Sequence, residues 1–337
     1  MTNILYLSAH AILERDEVIL LQSLGYNVYS PQTVIESDWV DARDIDKSFA
    51  ETLKKELGEA PCHKSQISDR FLEVFDIVIC EQDFNWLHQN RQRLKGKRAI
   101  LRTLGQLLSP SESQIVNLEG GRNFEIVRCS PAERTLSTYA GEDAVIRFYK
   151  DPARYHGWTG EEPAILGFGN ILTRRPEHVS LGFMLQATAG FDFRLYGAGN
   201  AGLTASRGMA NSEEMPSLYR THRIYYSHHT IPASYTLSFL EGLMTGAPVV
   251  TPGPEVLKHT SLFRAYPEIE ALYEVPQLIK NKINGFTPNT IEEAQKVFAS
   301  LLADQKMASE IGAAGRTLAL ELFGMETIRE QWKKFLG

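Results

Sequence analysis

Short, continuous apolar runs separated by helical stretches constrain this 337-residue chain more than any other feature. Phe75-Asp-Ile-Val-Ile-Cys80 is the clearest run, and Ile4-Leu5-Tyr6-Leu7 opens the chain in the same way. A strand that is apolar at nearly every position must be covered on both faces. A parallel sheet with helices on either side meets that need. Strands are expected over residues 3–8, 26–30, 75–80, 98–102, 124–129 and 144–149. Helical spacing lies between them, over 12–24 (with Gly25 as its stop), 45–57, 64–74 and 84–94.

Residues 150–163 interrupt the alternation with two prolines, two glycines and no periodicity, and read as a linker. Strands then resume over 164–168, 191–196, 223–227 and 247–251, with a helix over 234–244. Helices over 291–302, 306–322 and 326–336 close the chain. The expected class is α/β, with two doubly wound Rossmann-like domains facing a cleft. Residues 1–150 and 164–322 would form the domains, 151–163 the linker, and 323–337 a C-terminal helix returning toward the first domain.

Composition narrows the function. Hydrophobic residues make up 43 % and charged residues 23 %, which excludes a disordered or low-complexity chain. The net charge of −6 lacks the bulk positive footprint of a nucleic-acid binder. Cys62, Cys80 and Cys129 are too few and too far apart for a disulfide framework or a CxxC zinc site, and are expected to be reduced, buried thiols. The first residues lack the features of a secretory signal, and no apolar run approaches a membrane span. A cytoplasmic protein is expected.

In open parallel sheets, ligands bind beyond the carboxyl ends of the strands. Four such ends in the second half are glycine-rich or polar: Gly167-Phe-Gly169-Asn170, Gly197-Ala-Gly199-Asn200, Ser227-His228-His229-Thr230 and Thr251-Pro-Gly-Pro254. Glycines allow close backbone approach, and the helix that follows Thr230 offers free N–H groups and a positive dipole end to a diphosphate. His228-His229 lacks a third ligand and helical metal spacing, so no metal is expected there.

In order and spacing these residues resemble the nucleotide-sugar half of GT-B glycosyltransferases, especially the retaining, metal-independent group with a Glu-x7-Glu motif. Residues 233–250, ending Gly246-Ala-Pro248-Val-Val250, are similar to that motif and its Gly-x-Pro-Val-Val signature. Gly167-Phe-Gly169-Asn170 with Arg174-Arg175 is similar to the family's Gly-Arg…Lys loop, and Leu195-Tyr-Gly197-Ala-Gly199 to its Gly-x-Gly strand end. Asn284-Gly-Phe286 and residues 304–332 match its closing turn and helices. The likeness covers residues 163–336.

The resemblance implies a donor site of Gly167, Gly169, Asn170, Arg174, Arg175, Gly197, Gly199, Tyr235, Thr236, Leu237 and Glu241. Glu241, the second motif Glu, would accept both ribose hydroxyls. Arg175, where the family has Lys, would hold the diphosphate and stabilise it as it leaves. The backbone of Tyr235, Thr236 and Leu237 would meet the phosphates. Two positions depart from the family: the first motif Glu is Ala233, and the Arg of the glycine loop is Asn170.

In the first half, Ser8-Ala-His10 follows the first strand, and Arg102-Thr-Leu-Gly105-Gln106 follows another. His10, Arg102, Gly105 and Gln106 are candidate acceptor-side residues. His10 either acts on the acceptor as a base or starts a helix. Asp83 is either a base for an inverting reaction or a turn residue. The implied activity is transfer of a hexose or pentose from a nucleotide-sugar donor, with no metal or other cofactor. The alternative is a non-catalytic nucleotide-sugar or glycan-binding protein on the same scaffold. The acceptor stays open among a glycan, a lipid carrier, a small molecule and a modified nucleic-acid base.

Overall fold

The computed structural model describes residues 1–34 and 42–337. The chain divides into two compact units: Met1–Phe148 with Ile328–Gly337, and Tyr149–Thr327. It therefore crosses between them twice.

The first unit is built on six strands: β1 (Asn3–Leu7), β2 (Asn27–Tyr29), β3 (Ile77–Glu81), β4 (Arg98–Arg102), β5 (Glu125–Arg128) and β6 (Ala144–Val145). They pair in the order β2-β1-β3-β4-β5-β6, all parallel. Five successive buried positions in β3 show why its sequence is an unbroken apolar run. The Ala11–Ser23 helix connects β1 to β2, and Ser48–Leu57 follows β2. The helix expected over 64–74 is instead a 3-10 turn, Lys64–Gln66, and a short helix, Asp69–Glu73. Ser68 breaks it by capping Phe71 N at 3.0 Å.

The second unit holds β7 (Glu162–Phe168), β8 (Phe193–Tyr196), β9 (His222–Tyr226) and β10 (Val249–Val250), all parallel in the order β10-β9-β7-β8. The Leu237–Thr245 helix crosses from β9 to β10, so its N-terminus lies on the carboxyl side of the sheet. The Gln305–Phe323 helix packs on it through two glycines. A Cβ at Gly312 would stand 2.0 Å from Gly246 O, and one at Gly315 would stand 2.9 Å from Leu243 Cδ2.

In each sheet the strand order turns back beside the first strand, between β1 and β3 and between β7 and β9. The crevices of doubly wound domains open at such points. They are framed by the chain leaving β1 and β3 in one unit, and by the chain leaving β7 and β9 in the other.

Two expectations need correction. Cys62 is exposed, its Sγ 3.2 Å from Gln66 Oε1, while Cys80 and Cys129 are buried thiols. The 234–244 helix begins later, at Leu237, because Thr236 rather than Ser234 is the cap: Thr236 Oγ1 accepts from Phe239 N at 3.2 Å.

Candidate active site

The loops after β7 and β8 are joined along their length. Gly169 N donates to Tyr196 O at 2.9 Å, and Ile171 N to Ala198 O at 2.7 Å. Ala198 N donates to Asn170 Oδ1 at 2.8 Å. Asn200 completes the joint: its Nδ2 donates to Gly169 O at 2.6 Å, and its Oδ1 accepts from Leu172 N at 3.0 Å. This close approach explains the glycines. Gly197 (φ 140°) stands where a Cβ would be 2.0 Å from Gly169 O, and Gly199 (φ 73°) faces Ile171. Ile171 is itself left-handed, at φ 49° and ψ 38°. A β-branched residue in that region is strained, and such strain concentrates at functional loops. Gly167 is different: it lies inside β7, where a Cβ would meet the Phe193 ring at 2.8 Å, so it is a packing glycine.

Arg175 folds back over this loop and donates Nη2 to Asn170 O at 3.2 Å. Its buried Nε has no partner. Burial lowers its pKa from the ordinary arginine value. Arg174 is exposed. The segment after Arg175 is stitched to the one after β9: Ile231 N donates to His178 O at 2.9 Å, and Ser180 Oγ lies 3.1 Å from His229 Nε2. These bonds bring His228 and His229 beneath the loops. Burial pushes the pKa of His228 down to about 4, with Arg175 adding to the shift. Burial and then His228 push His229 down to about 3. Both rings are therefore neutral near pH 7. Five buried polar atoms without a partner fall in this region: Arg175 Nε, both ring nitrogens of His228, His229 Nδ1 and Ser234 Oγ. Buried polar groups are ordinarily paired, so this cluster marks the region as a candidate binding site.

Thr236, Leu237 and Ser238 are half-buried at the helix start, and the N–H groups of its first turn have no partner within the helix. Tyr235 turns into the core, its ring 5.3 Å from that of Phe323. Glu241 departs from the expectation of a carboxylate facing a cleft. It is 2 % exposed, its Oε1 lies 2.7 Å from Lys150 Nζ, and its Oε2 accepts from Tyr219 OH at 3.0 Å. Both oxygens are thus engaged inside the second unit.

The first unit has its own polar cluster at the carboxyl ends of β1 and β3. His10, exposed, caps the Ala11–Ser23 helix, with Nδ1 accepting from Leu13 N at 3.4 Å. Glu81 Oε2 holds the preceding turn, accepting from Ser8 Oγ at 2.7 Å, Ala9 N at 2.8 Å and His10 N at 3.2 Å. Tyr6 OH lies 2.8 Å from Glu17 Oε2 and 2.7 Å from Glu81 Oε1. The one phenol proton is shared between the two carboxyl groups. Burial pushes the pKa of the Glu81 carboxyl up to about 7, which favours its protonated form more than in an ordinary carboxyl. Burial also pushes Glu14, which accepts from Gln32 N at 2.9 Å, up to about 7.

Arg102 corrects another expectation. It is fully buried, 2.6 Å from Glu17 Oε1, and its guanidinium lies 4.6 Å from the Phe148 ring centroid. It is therefore a core cation and not a cleft residue. Gly105 is buried at φ 67°, and Gln106 is exposed. Asp83 caps Trp86 N at 2.9 Å and pairs with Lys64, which is turn chemistry. Sequence alone gives no role to Glu81, and it marks Asn200 and His228 only as members of polar strand ends. Their signal was position: each stands where the chain leaves a strand at its carboxyl end. Among the described residues, no group of three or more His, Cys, Asp or Glu side chains could hold a metal ion, and no helix is long and apolar enough to cross a membrane.

Comparison with curated protein sequences gives no match. A family model described as glycosyl transferase-like matches residues 174–333. Among solved structures, the chain is similar to sucrose-phosphate synthase from Thermosynechococcus elongatus, at 12 % identity and TM-score 0.64, over 100 % of this chain and 98 % of that one. It is similar to Anabaena HepE in complex with UDP and glucose, at 14 % identity and TM-score 0.67, over 100 % and 99 %. A glycosyltransferase from Rickettsia africae ESF-5 is similar at 15 % identity and TM-score 0.63, over 99 % and 98 %. At such identities the likeness is one of fold. The chain has the two Rossmann-like domains of the GT-B fold, and residues 174–333 of it are similar to a glycosyl transferase-like family.

Proposed function

We propose that this protein is a glycosyltransferase that takes a hexose or pentose from a nucleotide-sugar donor, without a metal and with retention at the anomeric carbon. The observation that carries the reading is the set of unpaired buried polar atoms around Arg175 at the β7/β9 crevice. Arg175 Nε and the N-terminal N–H groups of the Leu237–Thr245 helix are fixed donors suited to a diphosphate. They would stabilise the charge that develops on the leaving nucleotide, the work a metal does in other sites. HepE, of similar fold, is known in complex with UDP-glucose, which supports a nucleotide-sugar donor here. In the first unit, His10 is held by Glu81 at the β1/β3 crevice and is assigned to the acceptor side, with Gln106. Glu241 and Arg102 are left out of the site because their charges are already matched inside their own units.

The test is turnover by pure protein treated with a chelator, across a panel of nucleotide sugars and with glycan, lipid-linked, small-molecule and nucleoside acceptors. Release of nucleoside diphosphate by transfer or donor hydrolysis is expected, with the anomeric configuration kept. Ala233, where the related motif has Glu, favours one second reading: a non-catalytic nucleotide-sugar-binding protein. Donor binding without any turnover would support it.

A further inference from the structure

The chain leaving β7 passes through Gly169 and Asn170, and the chain leaving β9 passes through Ser227 and His228, on either side of the crevice where the strand order turns back. His228 is 5 % exposed, and neither Nδ1 nor Nε2 has a hydrogen-bond partner. Its ring lies against the glycine loop: a Cβ at Gly169 would be 2.5 Å from His228 Nε2. Only glycine at 169 leaves room for the imidazole. Arg175 stands beside it, with Nε also unpaired and one 3.2 Å bond from Nη2 to Asn170 O.

The chemistry of the pair selects its ligand. Burial and the Arg175 charge hold the imidazole neutral, with a pKa of about 4. A neutral imidazole has one N–H to donate and one lone pair to accept with. Neither is used here. A diphosphate oxygen only accepts, and a cation would be repelled by Arg175. A hydroxyl group both donates and accepts. Arg175 Nε, an unused N–H on a permanent cation, suits an oxyanion. The adjacent pair therefore fits an anionic group linked to a hydroxyl-bearing one.

We infer that His228 binds a hydroxyl group of the donor sugar, while Arg175 binds the diphosphate next to it. This rests on the donor-site reading above and assigns the sugar contact within it. Ala233, five residues after His228, supplies no polar side chain, so His228 brings the hydroxyl-binding group to this segment.

The experiment is calorimetric titration of UDP, UDP-glucose, UDP-N-acetylglucosamine, ADP, ADP-glucose, GDP and GDP-mannose into the full chain. The parent protein, His228→Leu and His228→Gln are compared. Leu keeps the volume and removes both polar atoms, whereas Gln restores a donor and an acceptor. For the nucleotide the parent prefers, His228→Leu is expected to weaken the nucleotide sugar about tenfold or more, ~1.4 kcal/mol, and the bare diphosphate by less than about twofold. His228→Gln is expected to recover part of the loss. Equal loss for sugar and diphosphate, or no loss for either, overturns the assignment while the donor-site reading stands. A parent protein that binds no member of the panel overturns both. If His228→Leu fails to fold, the comparison rests on His228→Gln: a nucleotide-sugar affinity unlike the parent's with the diphosphate unchanged supports the contact, and identical ratios overturn it.

Discussion

A buried neutral histidine is a liability in acid. His228 and His229 have folded-state pKa values near 4 and 3, below the ordinary 6.5. Below pH 6.5 the unfolded chain takes up protons that the folded chain refuses, so stability present above that pH is lost as pH falls toward 4. His228→Leu is expected to remove roughly 2–3 kcal/mol of that loss, at about 1.4 kcal/mol per pH unit. Urea melts of parent and variant at pH 7.5, 6 and 5 would show it as curves that converge or cross in acid. Identical pH slopes would contradict it. The same scale shows what sequence could not reveal. Arg102 and Glu241 were read as cleft residues because each follows or sits in a ligand-side element. Their partners, Glu17 and Lys150, come from far along the chain, and only the fold reveals that each charge is already matched. His228 was legible as a polar residue at a strand end, but its lack of a partner was not.

Elements were more legible than charges, because their signal is local. Arg98–Arg102 runs as the apolar pattern predicts, and the three closing helices begin and end within one or two residues of expectation. The Ser109–Val116 helix was missed, since its Ser-Pro-Ser-Glu start reads as a turn and its core contact is Ile115. Gly312 marks the tightest helix contact. An added methyl there would meet the backbone carbonyl of Gly246, which cannot swing aside as a side chain would. Gly312→Ala is therefore expected to cost about 1–3 kcal/mol, the range for overpacking. Chemical denaturation measures it. A change below about 0.5 kcal/mol would mean that the two helices move apart freely.

At the scale of the whole molecule, the chain's last residues, Ile328–Gly337, belong to the unit that its first residues begin. Trp332 is fully buried, 5.5 Å from the Arg102 guanidinium, and Arg98 Nη2 donates to Phe335 O at 2.8 Å. Trp332→Ala is expected to destabilise the first unit by about 3–5 kcal/mol, the usual loss for a buried Trp. Nucleotide affinity, assigned to the other unit, should change less than about twofold. Hydrogen exchange that rises across β1 to β6 and stays unchanged across β7 to β10 would confirm the division. Equal rises in both would contradict it.

On the proposed function, a nucleoside diphosphate binds at the β7/β9 crevice through Arg175, without a metal. The decisive measurement is calorimetric titration of the preferred nucleoside diphosphate, with excess chelator, into parent and Arg175→Ala protein. Chelator-resistant binding by the parent and at least about tenfold weaker binding by Arg175→Ala, with the fold intact by circular dichroism, is the expected result. Equal affinity in the two proteins, or binding abolished by the chelator, would contradict it.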